Sequence, residues 1–406
     1  MATNWAGNLE YSTDRIAAPR TEEELQHWVA VNPKLRALGT RHSFNQIADS
    51  KHLLLSLEHL NKIAEPEPLT QTVTVQGGVT YSQLAKFLHS RGWALHNLAS
   101  LPHISVAGAV ATATHGSGYK NGNLATAVTG IKIVGPGGKP QSLTKQDKDF
   151  NQMVVNLGAL GVVTKLTIRI EPRYQVAQWV YRDLPLQALA DNFLEVRTKA
   201  YSVSLFTHWR SSKFEQVWLK ERCPAQAPDE WLGMKKADEK LHPIEGIGTE
   251  NCTDQGGEPG DWHDRLPHFR MDFLPSAGEE LQSEYFVPVG QAVDALFAID
   301  QIAPQITDAL LISEIRFIAK DDLLMSPCCH QDCIGIHFTW KKDWPRVRAL
   351  LPLVETALAP YQPRPHWGKL FHAVPSCPAE FKELVLRRDP EGKFANGFIR
   401  ALLRTP

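Results

Sequence analysis

Two short segments in the second half of the chain carry polar side chains at strand spacing. In Ile312-Ser313-Glu314-Ile315-Arg316-Phe317, Glu314 and Arg316 fall on one side of a strand, because successive strand side chains alternate. In Ile334-Gly335-Ile336-His337-Phe338-Thr339-Trp340, the face made by Ile334, Ile336, Phe338 and Trp340 is apolar and should pack inward. Gly335, His337 and Thr339 face the other way. A guanidinium only donates hydrogen bonds, an ionised carboxylate only accepts them, and a neutral imidazole does one of each. Four such groups on two strands of one expected sheet suit a hydroxyl-rich ligand, and they reject ligands that leave them unpaired. The competing reading is a surface ion pair between Glu314 and Arg316 with no function.

Two loops rich in small residues lie in the first 120 positions. Arg36 to Asn45 contains Gly39 and His42, and Ser100 to Gly118 reads SLPHISVAGAVATATHGSG. Small residues let backbone N–H groups approach a phosphate closely. Two such loops point to a nucleotide cofactor with a pyrophosphate, and a histidine inside the first suggests covalent attachment. The usual dinucleotide fingerprint and the P-loop pattern are both missing.

Gly39-Thr40-Arg41-His42-Ser43 instead resembles the G-x-G-H-S loop of vanillyl-alcohol-oxidase-type flavoproteins, with Arg41 where that loop has its second glycine. Leu157-Gly158-Ala159-Leu160-Gly161-Val162-Val163 and His366-Trp367-Gly368-Lys369 extend the resemblance over nearly the whole chain. Within that family the chain is most similar to the alditol oxidases, in particular through Leu98-Ala99-Ser100-Leu101-Pro102-His103-Ile104-Ser105. The aldonolactone oxidases and dehydrogenases are near cousins.

The resemblance implies a two-domain α+β fold: an FAD-binding domain over 1–172, a substrate domain with a large antiparallel sheet flanked by helices over 173–372, and a C-terminal segment, 373–406, that returns to the flavin domain. It implies FAD bound covalently through His42. The cofactor set it implies is Gly39, Thr40, Arg41, His42, Ser43, Ser100, Ser105, Gly108, Thr112, His115, Gly116, Gly118, Gly161, Val162, Val163 and Lys369. Glu314 and Arg316 are implied to bind substrate hydroxyls, with Ser100 close to the flavin, Thr339 on the same polar face, and His337 and Lys369 near the reacting carbon. The expected reaction is oxidation of the terminal alcohol of an alditol such as xylitol or sorbitol, with dioxygen reduced to hydrogen peroxide. An aldonolactone substrate is the enzyme alternative, and a non-catalytic flavin- or carbohydrate-binding protein is the alternative of another class.

Removing a hydroxyl proton needs a base, because an alcohol is a very weak acid. His337 titrates in the right range, and the cationic Lys369 can stabilise developing negative charge. Ala99, beside Ser100, is small enough to leave an oxygen path to the flavin. Cys328-Cys329-His330-x-x-Cys333 lacks zinc-site spacing, so no metal is expected and Cys333 reads as structural. His115 reads as a loop support, His103 has no assigned role, and Asn4-Trp5-Ala6-Gly7 reads as packing.

Composition agrees with a globular enzyme. The 406 residues are 43% hydrophobic and 21% charged, enough for two cores. A net charge of −1 favours neither nucleic acid nor an anionic membrane, and leaves phosphates to backbone donors. The N-terminal residues lack a signal-peptide pattern, and six scattered cysteines fit a reducing cytoplasm, so a cytoplasmic protein is expected, and the resemblance implies a monomer.

Local patterns complete the reading. Thr21 and Glu24 form a capping box for a helix with Leu25, Trp28 and Val29 on its apolar stripe. A strand at 72–75 precedes a helix over 81–89. A hairpin turns at Gly135-Pro136-Gly137-Gly138, and a half-buried strand carries Leu166, Ile168 and Ile170. Residues 221–280 read as a long loop region, in which a cap could lie, and a helix is expected near 291–302.

Overall fold

The computed structural model describes residues 2–271 and 278–405. The first module carries a parallel three-stranded sheet, in the order Ile16–Ala17, Leu54–Ser56, Arg36–Leu38. Beside it lies an antiparallel sheet in the order Thr72–Gln76, Val162–Arg169, Val128–Val134, Pro140–Thr144. The hairpin at Gly135–Gly138 joins the last two strands. The helix Glu22–Val31 starts at Thr21, whose side chain accepts from Glu24 N–H. The reciprocal half of the expected box is displaced by one residue, since the Glu24 carboxylate takes the N–H of Arg20. Leu25 and Val29 are buried, whereas Trp28 is 36% exposed and lies at the edge of the stripe. A complete capping box instead opens the helix Tyr81–Ser90, between Thr80 and Gln83.

The second module is a ten-stranded sheet. Its centre runs Lys213–Arg222, Ser202–Thr207, Leu310–Ile318, Cys333–Lys341, Glu280–Pro288, each neighbour antiparallel. One face is apolar: Ile334, Ile336, Phe338 and Trp340 are fully buried with Ile315, Phe317, Leu281, Tyr285 and Val287. The helices Ala292–Gln301 and Trp344–Leu358 cover that face through Leu296, Ile299, Val347, Leu351 and Val354. Each large side chain so buried contributes about 1.5–3 kcal/mol of transfer free energy. The opposite face looks toward the first module.

Residues 221–271 are mostly irregular, with short strands at Glu230–Trp231, Met234–Lys236 and Gly260–Asp261 and a helix at Trp262–Arg265. Residues 272–277 of the expected loop region lie outside the described residues. The C-terminal helices Ala379–Arg388 and Gly397–Arg404 set Phe381, Leu384, Val385, Ile399 and Leu402 into the first module's main core. Between them, Phe394 C=O accepts from Arg36 Nη1 (2.8 Å), and Lys393 Nζ donates to Val29 C=O (2.6 Å). Among the described residues no helix is long and apolar enough to cross a membrane.

Candidate active site

A cavity of about 480 Å³ lies between the loops of the first module and the polar face of the large sheet. Gly39, Thr40, Arg41, His42 and Ser43, then Ser100, Ser105, Gly108, Thr112, His115, Gly161 and Val163, line one side. Glu314, Arg316, His337, Thr339 and Lys369 line the other. Three expected cofactor residues stand off this wall. Gly118 spends its N–H on Phe317 C=O (2.8 Å). Gly116 packs so tightly that a Cβ would sit 2.4 Å from Leu98 C=O. Val162 is a core residue of the sheet, paired with Val134.

At Gly39, Gly108 and Gly161 the first-module side presents bare backbone, and packing requires it to. A Cβ on Gly39 or Gly108 would fall 2.7 or 2.8 Å from Ser105 Oγ, and on Gly161 2.5 Å from Val134 C=O. Thr40 Oγ1 accepts from Ser105 N–H (3.1 Å), tying the two loops together. Arg41 is exposed and takes φ 63°, the left-handed conformation in which a glycine is unstrained. At its departure from the G-x-G-H-S pattern the loop therefore carries backbone strain that a glycine would not. His42 stacks on Trp5 (ring centroids 5.2 Å) and places Nε2 2.5 Å from Nε2 of His103. Desolvation and the neighbouring His103 push His42 down to about 3, so its ring is neutral. These features fit FAD: two backbone cradles without a basic patch, and a neutral imidazole in the wall.

The sheet side is a buried polar network. Arg316 Nε donates to Glu314 Oε1 (2.6 Å), Arg316 Nη2 donates to Glu314 Oε2, and Nη2 also reaches Ser100 Oγ (2.7 Å). Glu314 is 4% exposed, which removes the surface-pair reading. Burial alone would raise its carboxyl, but Arg316 and His268 hold it well below the usual range. His337 Nε2 lies 3.0 Å from Thr339 Oγ1, and its Nδ1 lies 2.7 Å from Lys369 Nζ. Burial, then Lys369, pushes His337 down to about 4. Burial also lowers Lys369.

Several neighbours were not singled out from the sequence. Glu284, fully buried, accepts from Lys369 Nζ (2.5 Å) and from His115 Nε2 (2.9 Å). His268 donates from Nε2 to Glu314 Oε1 (2.8 Å), and Lys220 Nζ stands 3.3 Å from its Nδ1. Gln282 lines the cavity, and His366 N–H donates to Glu284 C=O (2.9 Å). In Glu280-Leu281-Gln282-Ser283-Glu284 the polar residues alternate just as they do around Glu314 and His337, so the same test applied to this strand finds Glu284. His268 lies in an irregular segment with no period to reveal it. Cys328 and Cys333 are buried with Phe286 and Ile318 in a small core cluster.

Residues 13–144 match the FAD binding domain family, and residues 277–402 match the D-arabinono-1,4-lactone oxidase family. The chain is 44% identical over 411 residues to an alditol oxidase of Streptomyces sp., covering 99% of this chain and 98% of that protein. It is 25% identical over 432 residues to an L-gulono-1,4-lactone dehydrogenase of Mycobacterium tuberculosis, covering 99% and 98%. A solvent-stable cholesterol oxidase superposes with a TM-score of 0.78 at 14% identity, covering 99% of this chain and 97% of the other, which is a likeness of fold. The match to the Streptomyces protein extends through both modules and both sides of the cavity, and the chain therefore belongs to the alditol oxidase family of vanillyl-alcohol-oxidase-type, FAD-dependent oxidoreductases.

Proposed function

We propose that this enzyme oxidises the terminal primary alcohol of an acyclic polyol, such as xylitol or sorbitol, to the aldehyde, with dioxygen reduced to hydrogen peroxide. The observation that carries the reading is the polar row Glu314–Arg316, beside His337 and Thr339 on the sheet wall, which Arg316 joins to Ser100 of the facing flavin-side loop. Successive hydroxyls of a polyol offer a donor and an acceptor on each carbon, and this row supplies both.

Bound FAD would supply the hydride acceptor for the carbinol carbon. Gly39 to Ser43, Ser105, Gly108 and Gly161 would hold it, with His42 as the covalent attachment point. Arg316 and Glu314 orient the polyol through hydroxyls away from the reacting end. His337 takes the hydroxyl proton at Nε2 while its Nδ1 proton passes to the Lys369 amine. The imidazole stays neutral overall, and the new charge appears on Lys369, beside the Glu284 carboxylate.

An aldonolactone substrate is the second reading, favoured by the lactone-oxidase match over residues 277–402. Oxygen uptake and peroxide release with xylitol, sorbitol and L-gulono-1,4-lactone decide between them, with a dye acceptor run in parallel. Turnover confined to the lactone would overturn the polyol reading. Flavin binding with no turnover on any of them would leave a non-catalytic binding protein.

A further inference from the structure

We propose that Glu284 is a positioning residue for this reaction, holding Lys369 against His337 and setting the proton count at which that pair can act as a base; the proposal rests on the polyol-oxidase reading above. The argument starts from a count of hydrogen-bond donors. Lys369 Nζ touches Glu284 Oε2 at 2.5 Å and His337 Nδ1 at 2.7 Å. While Lys369 is an ammonium, it donates to both. His337 then carries its own proton on Nε2, directed at Thr339 Oγ1, and cannot accept another there. Once the pair has lost one proton, Nδ1–H turns to the Lys369 amine and Nε2 is bare. The form that accepts the substrate's proton is therefore one proton poorer than the ammonium form.

Glu284 decides how readily that proton leaves. It is fully buried, so no solvent screens it from Lys369. Burial alone would raise its carboxyl, but Lys369 and His115 hold it well below the usual range, so it is ionised throughout the working range. An anion in contact with Lys369 stabilises the ammonium and so opposes the loss. His115 Nε2, on the flavin-side loop, anchors Oε1, so the carboxylate is fixed from both modules. Gly335 opens the space: a Cβ there would stand 3.0 Å from Glu284 Oε1 and 3.6 Å from His115 Cε1. The charged and titratable groups facing this carboxylate are His115, His337, His366, Lys369 and Arg316, with Glu314 beyond Arg316.

The test uses the full-length, FAD-loaded enzyme and measures kcat and kcat/KM for xylitol against pH for wild type, Glu284→Gln and Glu284→Asp. In the Gln variant the acid limb of kcat is expected to move to lower pH by about one to three units. Its plateau is expected to fall by about 10²-fold as Lys369 loses its anchor. The Asp variant keeps the charge but withdraws it from Lys369, so its limb should move the same way by less and part of the plateau rate should return. A purely structural role predicts lost flavin or a lower melting temperature with the limb in place. That result, or wild-type behaviour in the Gln variant, overturns the proposal. Should the Gln chain fail to fold, the Asp profile decides alone: a limb at the wild-type pH overturns it. A wild-type enzyme inert toward xylitol and sorbitol overturns the polyol reading instead, and this assignment with it.

Discussion

Glu284 stands directly opposite His337 in the register of two antiparallel strands, with its Oε2 3.6 Å from His337 Nδ1. Glu314 stands opposite the same histidine on the other neighbouring strand. His337 thus sits between two buried carboxylates, yet burial and Lys369 push it down to about 4. The explanation is that each carboxylate has its own cation. Lys369 neutralises Glu284 and Arg316 neutralises Glu314, so little net negative charge is left to hold a proton on the ring between them. The imidazole therefore stays neutral, and its Nε2 becomes free to accept a proton once Lys369 has given one up.

The buried histidines predict an acid-labile fold. His96, His268 and His337 are each lowered from 6.5 to about 4, mainly by burial. Between those values the unfolded chain binds more protons than the folded one, so stability rises with pH across that window. The contribution is complete above about pH 6.5 and is lost as the pH falls toward 4. Thermal unfolding of the FAD-loaded protein should give a melting temperature that is level above this window and drops steadily within it. A melting temperature that holds level down to pH 4 would show that these rings are already protonated in the fold.

Arg316 should not tolerate lysine. Its guanidinium bonds both oxygens of Glu314 and also Ser100 Oγ, a span that one ammonium cannot cover. A charge-assisted bond of this kind contributes about 1.5–3 kcal/mol, so Arg316→Lys should lower kcat/KM for a polyol by roughly 10- to 150-fold. Flavin content should be unchanged, because Arg316 lies on the sheet side of the cavity. Ser100→Ala removes a single bond from that guanidinium, about 1.5–3 kcal/mol, and should lower kcat/KM by roughly 10- to 150-fold. Equal kcat/KM in Arg316→Lys and wild type would remove this pair from substrate binding.

Much of this site was legible wherever a strand has one polar and one apolar face. Glu314, Arg316, His337 and Thr339 were readable because period-two alternation sorts side chains between faces without knowledge of the fold. Glu284 obeys the same rule and escaped because Gln282 and Glu284 carry no motif of their own. What alternation cannot give is register. That Glu284 and Glu314 both face His337 follows from pairing among three strands, two of them separated from the other by the helix Ala292–Gln301. His103 and His268 belong to loops, where only the packed structure brings them to His42 and Glu314. The displaced capping bond at Arg20 shows the opposite limit, where a correct local motif is satisfied by the neighbouring N–H.

Oxygen access is predicted to depend on Ala99. It is 7% exposed, lines the cavity, and precedes Ser100 at the site. Two added methyl groups in Ala99→Val should obstruct dioxygen without reaching the polyol's row on the sheet. Stopped-flow reoxidation of the reduced flavin is expected to slow by about tenfold, equivalent to ~1.4 kcal/mol of barrier. Reduction by xylitol should keep its wild-type rate. Unaltered reoxidation would mean that oxygen enters by another face.

His42 is predicted to hold the cofactor covalently. Its ring lies in the cavity wall, stacked on Trp5, and is kept neutral by desolvation and by His103. A neutral imidazole has a lone pair with which to bond carbon, whereas a protonated one has none. Denaturing the wild-type protein in acid should leave the yellow colour with the chain, and intact mass should show one added FAD. His42→Ala should bind FAD without the mass shift and release the colour on denaturation. Release from the wild-type chain would mean that the flavin is held without a bond, in a loop whose Arg41 occupies a left-handed conformation that suits glycine. Arg41→Gly separates the two explanations. If strain at Arg41 is what prevents the bond, the glycine variant regains the added mass; if it does not, His42 is not an attachment point.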